Sequence, residues 1–309
     1  MLSRIAESLF WIGRYIERAD DTARLLDVHL QILLEDPWAE EDLACRSLLA
    51  VMDRRMPDAD IAVGREQVLD VLAYDREQPS AIAGSLVAAR ENARRAREVI
   101  STELWEALNV TWTQLPVQLS VRRPHAFFHW ARERTAVVSG IVDSTISRDD
   151  TWQFLVLGRS LERADMTARL LATRALAGAA GPDWRTLLGS CGAYEAYLRR
   201  FGSMASDESA AGFLLTDRLF PRSVVHALSQ AEACLNALDP LRDQASVDEA
   251  RMRLGRARTG LEYRRLPEVL EELPQQMERV QRSCTSASDA IRSRYFPSGG
   301  VTTWMGGVR

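Results

Sequence analysis

The sequence holds no stretch of 18 uninterrupted apolar residues, so it offers no helix to cross a bilayer. Its first apolar run, Leu9 to Ile12, is short and flanked by Glu7 and Arg14, which does not fit a secretion signal. Cysteine is scarce. Cys45, Cys191, Cys234 and Cys284 are far apart and form no CxxC pair, so reduced, buried thiols in a cytoplasmic protein are expected. The formal net charge is −4, and basic tracts go no further than pairs such as Arg122-Arg123. That excludes an electrostatic basis for nucleic-acid binding. There is no P-loop, no GxGxxG after a strand, no GxSxG and no HExxH. No segment sustains period-two alternation, so no sheet is expected. No Gly/Ser-rich linker divides the chain.

What remains is a globular balance: 309 residues, 46% hydrophobic and 27% charged. The chain also repeats itself. Residues 12–26 read IGRYIERADDTARLL and residues 157–171 read LGRSLERADMTARLL, with 11 of 15 positions identical at an offset of 145. Chance supplies roughly one match in such a window. At an offset of 142, Asp75, Arg76, Pro79 and Leu86 recur as Asp217, Arg218, Pro221 and Leu228.

Apolar residues at Ile5, Leu9, Ile12, Ile16, Ala19, Ala23, Leu26, Leu30 and Leu33 alternate spacings of four and three. This is a helical seam, ended by Pro37. The copy runs Phe154, Leu157, Leu161, Ala164, Ala168, Leu171, Ala175. Further helices are predicted at 40–52, 65–74, 79–99, 101–114, 124–147, 183–201, 207–216, 221–239, 247–264 and 273–295, with Pro79 and Pro221 at helix starts. The expected fold is all-α, a multi-helix bundle built from two internally repeated halves, about 1–145 and 146–296, with pseudo-twofold symmetry. A single domain over 1–296 is followed by a flexible tail, 297–309.

On the first helix Gly13, Glu17, Asp20 and Arg24 form one narrow stripe beside the seam. They recur as Gly158, Glu162, Asp165 and Arg169, and Arg14 and Arg18 recur as Arg159 and Arg163. Restraint on nearly every face marks a helix central to its bundle. Glycine at 13 and alanines at 19 and 23 suit close approach. The two repeat helices are expected to pack together, stripes inward. Buried charges there need partners. Local ones are Asp20–Arg24 and Asp165–Arg169, four apart, and Arg14–Glu17, three apart. Asp75-Arg76, Asp217-Arg218 and Arg90-Glu91 are further candidates. Two readings stand: an internal salt-bridge network that fixes helix register, or a polar site that binds an anionic or peptide-like group. Neither copy pairs its carboxylates with a histidine or nucleophile, so no catalytic residue is assigned. Glu17-x-x-Asp20 and Glu162-x-x-Asp165 lack the histidine of a bundle di-metal motif, so no metal or cofactor is assigned. His125 and His129 have metal-ligand spacing but sit among Phe127, Phe128 and Trp130, which reads as an aromatic cluster.

The opening Met1-Leu2-Ser3-Arg4 and Leu9 through Gly13-Arg14-Tyr15-Ile16-Glu17-Arg18-Ala19 resemble the bacterial alpha-E family, an all-helical domain named for its Glu-Arg motif. So do Ala89 through Arg94, Ser101 through Trp105 to Asn109, Trp152 through Asp165, Phe220-Pro221-Arg222-Ser223 and Tyr295-Phe296. Asp20-Asp21 departs from an expected Glu-Asn. The resemblance implies cytoplasmic proteins encoded or fused beside circularly permuted ATP-grasp ligases and transglutaminase-like peptidases, and a role in peptide or amide-bond modification. Its Glu-Arg pair falls on Glu17-Arg18 and Glu162-Arg163. The leading expectation is a non-catalytic helical partner of an ATP-grasp ligase, scaffolding it or presenting a peptide substrate. The alternative is an enzyme using Glu17 or Glu162 as base, with arginines holding a carboxylate or phosphate. A structural dimerisation module, hence a homo-oligomer, is the third reading.

Overall fold

A computed structural model describes residues 1–35, 40–54, 60–115, 123–177, 183–202, 206–239 and 248–297. Among them the regular structure is entirely helical. In order the helices are α1 (Ser3–Glu35), α2 (Glu41–Val51), α3 (Arg65–Leu69), α4 (Ile82–Arg95), α5 (Thr102–Gln114), α6 (Pro124–Thr145) and α7 (Asp150–Ala177). They continue as α8 (Trp184–Ser190), α9 (Tyr194–Phe201), α10 (Asp207–Thr216), α11 (Val224–Leu238), α12 (Glu249–Glu262), α13 (Leu266–Glu271) and α14 (Leu273–Tyr295). A π-helical turn, Asp70–Tyr74, prolongs α3. No helix among the described residues is long and apolar enough to cross a membrane.

The seam of α1 is buried from Ile5 through Leu30, and that of α7 from Phe154 through Leu171. These two helices lie against each other at the centre of the fold. Helices α4 and α6 flank α1, with α5 packed on both; α11 and α14 flank α7, with α12 packed on both. Helix α8 closes on α1, and α2 on α7. The buried apolar residues form one connected cluster from Ile5 to Phe296.

Glycine sets the α1–α7 distance. A β-carbon at Gly13 would collide with the carbonyl oxygen of Leu155, and one at Gly158 with that of Phe10. The two contacts exchange at the offset of 145 seen in the sequence. In a free helix Gly→Ala is favourable by about 1 kcal/mol. Here Gly13→Ala is expected to destabilise by about 1–3 kcal/mol, because backbone cannot yield to the new methyl. Urea unfolding reads the sign; a variant as stable as the parent would show that the helices do not touch at Gly13.

The helix starts expected at Pro79 and Pro221 fall later, at Ile82 and Val224. The cause is the aspartate before each proline. Asp75 Oδ1 accepts the N–H groups of Glu77 and Gln78 at 2.8 and 3.2 Å. Asp217 Oδ1 accepts those of Leu219 and Phe220, both at 2.8 Å. Each holds its segment in an Asx-type turn that delays the helix. The helix expected over 183–201 is two, because Gly192 takes φ 60° and ends α8. Residues 298–309 of the expected flexible tail lie outside the described residues.

Candidate functional site

Four residues beyond each crossing glycine, one helical turn on, a glutamate points into the partner helix. Glu17 is 2% exposed and Glu162 is 3% exposed. A buried carboxylate needs compensating cations, and each glutamate draws them from the opposite helix. Arg163 Nε donates to Glu17 Oε1 at 2.6 Å. Its sequence counterpart Arg18 grips Glu162 with Nε at 2.6 Å and Nη2 at 3.0 Å. Arg14 Nε adds a third contact to Glu162, at 2.5 Å, and its Nη1 bonds Ser288 Oγ at 3.1 Å. The expected local pair Arg14–Glu17 is therefore not the one formed. The crossing brings Glu162 within reach of Arg14, and the bidentate fork of Arg18 completes the clamp.

The Glu17 cluster contains a residue from further away. Arg222, just before α11, pairs with Glu17 at 2.7 Å and with Asp20 at 2.5 Å, and also bonds Asp21. Thr167 Oγ1 donates to the Arg222 carbonyl at 2.9 Å. Arg24 Nε bonds Asp20 at 2.8 Å, the pair expected from spacing. Oxygens of Glu17, Asp20 and Asp21 lie within 4.8 Å of one another, a separation open to a cation. The Arg222 guanidinium already binds all three. Burial alone would raise Asp20, but Arg222 and Arg24 hold it below its ordinary value. Burial pushes Asp21 well above its ordinary value; Arg222 opposes the rise, and Glu17 and Asp20 reinforce it.

In the Glu162 cluster Arg169 Nε bonds Asp165 at 2.9 Å, again as expected from spacing. Burial works to raise the Glu162 carboxyl, yet Arg14 and Arg18 overcome it and hold the group at about 2. Asp165 goes the other way: burial raises it, Arg169 opposes and Glu162 adds to the rise. Between this cluster and the end of α2 lies a cleft of about 250 Å³. Helix α2 ends there in a Schellman motif, with Asp53 N–H on the Ala50 carbonyl at 3.1 Å and Arg54 N–H on that of Leu49 at 2.9 Å. Asp53 adopts φ 52°, the left-handed conformation that this ending needs. Helix α8 ends alike at Gly192, where a β-carbon would stand 2.9 Å from Arg24 Nη1.

The remaining sequence candidates lie elsewhere. Asp75 and Asp217 hold their own turns, and Asp217 also pairs with Arg200. Arg218 pairs with Glu262. Arg76 is half-buried beside Asp75. Arg90 lies over Trp105 and Trp112 and bonds Asn109, while Glu91 pairs with Arg94. Arg159 reaches Asp143 at 3.5 Å and not Glu17. His125 bonds Asp27 at 2.8 Å, and His129 faces Glu133 on the exposed surface. All four cysteines are buried and free.

The residues missed by sequence reasoning are Arg222, Asp21 and Arg54. One signal was present. The chain has 39 basic residues and every one is arginine, the cation suited to buried, bidentate pairing.

The family model for Alpha-E, described as a predicted alpha-helical domain with a conserved ER motif, matches residues 1–296. Uncharacterized proteins of Mycobacterium bovis and Mycobacterium tuberculosis are 26% identical over 303 residues, covering 87% of this chain and 33% of theirs. The chain thus spans about a third of the length of the curated relatives it matches. No solved structure matches.

Proposed function

The chain belongs to the Alpha-E family, and from that premise we propose that it is a non-catalytic helical component of an ATP-grasp-type peptide or amide ligase system in the cytoplasm. It scaffolds the ligase or presents its substrate. The observation that carries this reading is the state of the two motif glutamates. Each is buried and clamped by arginines, Glu162 by Arg14 and Arg18 of the facing helix and Glu17 by Arg163 of the facing helix and by Arg222. A general base must reach the proton it removes and hold it near working pH. Glu162, held at about 2, does not meet that need. The Glu-Arg motif therefore locks helices together and leaves the chemistry to a neighbour.

The internal architecture supports a second element of the proposal. The chain is two helical halves, about 1–145 and 146–296, arranged about a pseudo-twofold axis through the α1–α7 crossing. The exchanged glycine contacts, the reciprocal Arg18–Glu162 and Arg163–Glu17 pairs and the matching flanking helices favour it.

The test is an assay of the isolated chain with ATP and peptide, alone and with an ATP-grasp ligase. We expect a stable complex by size exclusion and no turnover without the ligase. Robust turnover by the chain alone, lost in a folded Glu17→Gln variant, overturns the proposal and installs the enzyme reading.

A further inference from the structure

Two of the positions that differ between the Glu17 cluster and the Glu162 cluster bear on the space between their acids. Ser80 precedes Arg222 by 142 residues, and Met166 follows Asp21 by 145. In the Glu17 cluster, Arg222 fills the space between Glu17, Asp20 and Asp21. In the other, the corresponding Glu162, Asp165, Met166 and Ser80 all line the open cleft of about 250 Å³. One cluster is closed by a guanidinium that binds all three acids; in the other, the residues at the corresponding positions face open space among the described residues.

Its charges are also differently committed. Arg14 and Arg18 are held by Glu162, and Arg169 by Asp165. Arg54 lines the same cleft, and its Nη1 bonds Ser80 Oγ at 3.0 Å. Among the described residues it forms no ion pair with a carboxylate. The Schellman ending of α2 places it there. Asp165 also lines the cleft, and its buried Oδ1 has no hydrogen-bond partner among the described residues. A buried acceptor without a donor is costly, and a guanidinium without an anion is a ready oxyanion fork. A ligand with an anionic end and a donor end satisfies both.

We propose that this cleft binds a small molecule carrying a carboxylate or phosphate for Arg54 and an adjacent amine or hydroxyl for Asp165. The proposal is independent of the ligase reading, because the binding belongs to this chain alone.

A matched pair of probes separates the two oxyanions: β-alanine and phosphoethanolamine, each with an amine, titrated calorimetrically into the full chain at low salt. We expect saturable binding of at least one probe. Preference for β-alanine assigns a carboxylate site, and preference for phosphoethanolamine a phosphate site. The double variant Ser80→Arg, Met166→Asp copies the filled cluster and should abolish binding. Arg54→Gln removes no ion pair, so it should leave the fold intact and weaken binding about tenfold or more, as loss of a charge-assisted contact does. The Arg54→Gln result stands even where the double variant does not fold. If neither probe saturates, or folded Arg54→Gln binds as tightly as the parent, the proposal fails.

Discussion

Arg222→Met is expected to destabilise the protein by about 3–5 kcal/mol, because it leaves buried carboxylates without their shared cation. Arg222 contacts Glu17, Asp20 and Asp21 at once. Arg24 and Arg163 remain for Asp20 and Glu17, but among the described residues Asp21 keeps no guanidinium in direct contact. Methionine retains much of the packing volume, so the loss reports charge more than cavity. The effect should also be coupled to Asp21. Adding Asp21→Met, which imitates Met166 of the other copy, is expected to recover more than about 1 kcal/mol, as residues in one network do. Urea unfolding followed by circular dichroism measures both. An Arg222→Met protein within about 1 kcal/mol of the parent would mean that this cluster is not desolvated.

Glu162→Gln should cost on the order of 3 kcal/mol near neutral pH, and the cost should vanish in acid. The folded carboxyl sits at about 2 against an ordinary 4.5. For an acid whose folded value is depressed, the stabilisation is fully present above the unfolded value. It fades as pH falls from about 4.5 towards 2. Asp21 and Asp165 act with the opposite sign. Burial lifts both carboxyls, so they take up protons earlier in the folded state and favour it as pH drops. The parent-minus-variant difference isolates Glu162 from these two. Unfolding midpoints measured from neutral pH to about pH 2 should converge; a constant gap would show that Glu162 does not titrate as an ion held by Arg14 and Arg18.

The legible parts of the site were the short-range ones. Asp20–Arg24 and Asp165–Arg169 are one helical turn apart, so spacing alone named them, and both pairs form. The glycines and alanines of the stripe likewise announced close approach, and Gly13 and Gly158 carry it. Arg14 was misassigned for a physical reason. Its local partner and its true partner are both glutamates, and only the crossing decides which is nearer. Arg222 stood in the sequence only within the family-like stretch Phe220-Pro221-Arg222-Ser223, and its pairing was not legible because 201 residues separate it from Asp21 and no periodicity connects them. The late starts of α4 and α11 were hidden because proline favours a first helical turn, while the aspartates before Pro79 and Pro221 capture the backbone first.

By itself the sequence determined an all-helical chain, two long helices of similar sequence and a stripe that had to face protein. Those properties follow from the period of side chains along a helix and the cost of burying charge, both local to the chain. Tertiary structure alone decided which arginine meets which glutamate. It also decided that Arg222 fills one cluster, and that Ser80 and Met166 line a cleft beside the other. Ion pairing depends on distances of a few ångströms between segments far apart in sequence, and only the crossing of α1 and α7, with the helices packed around them, sets those distances.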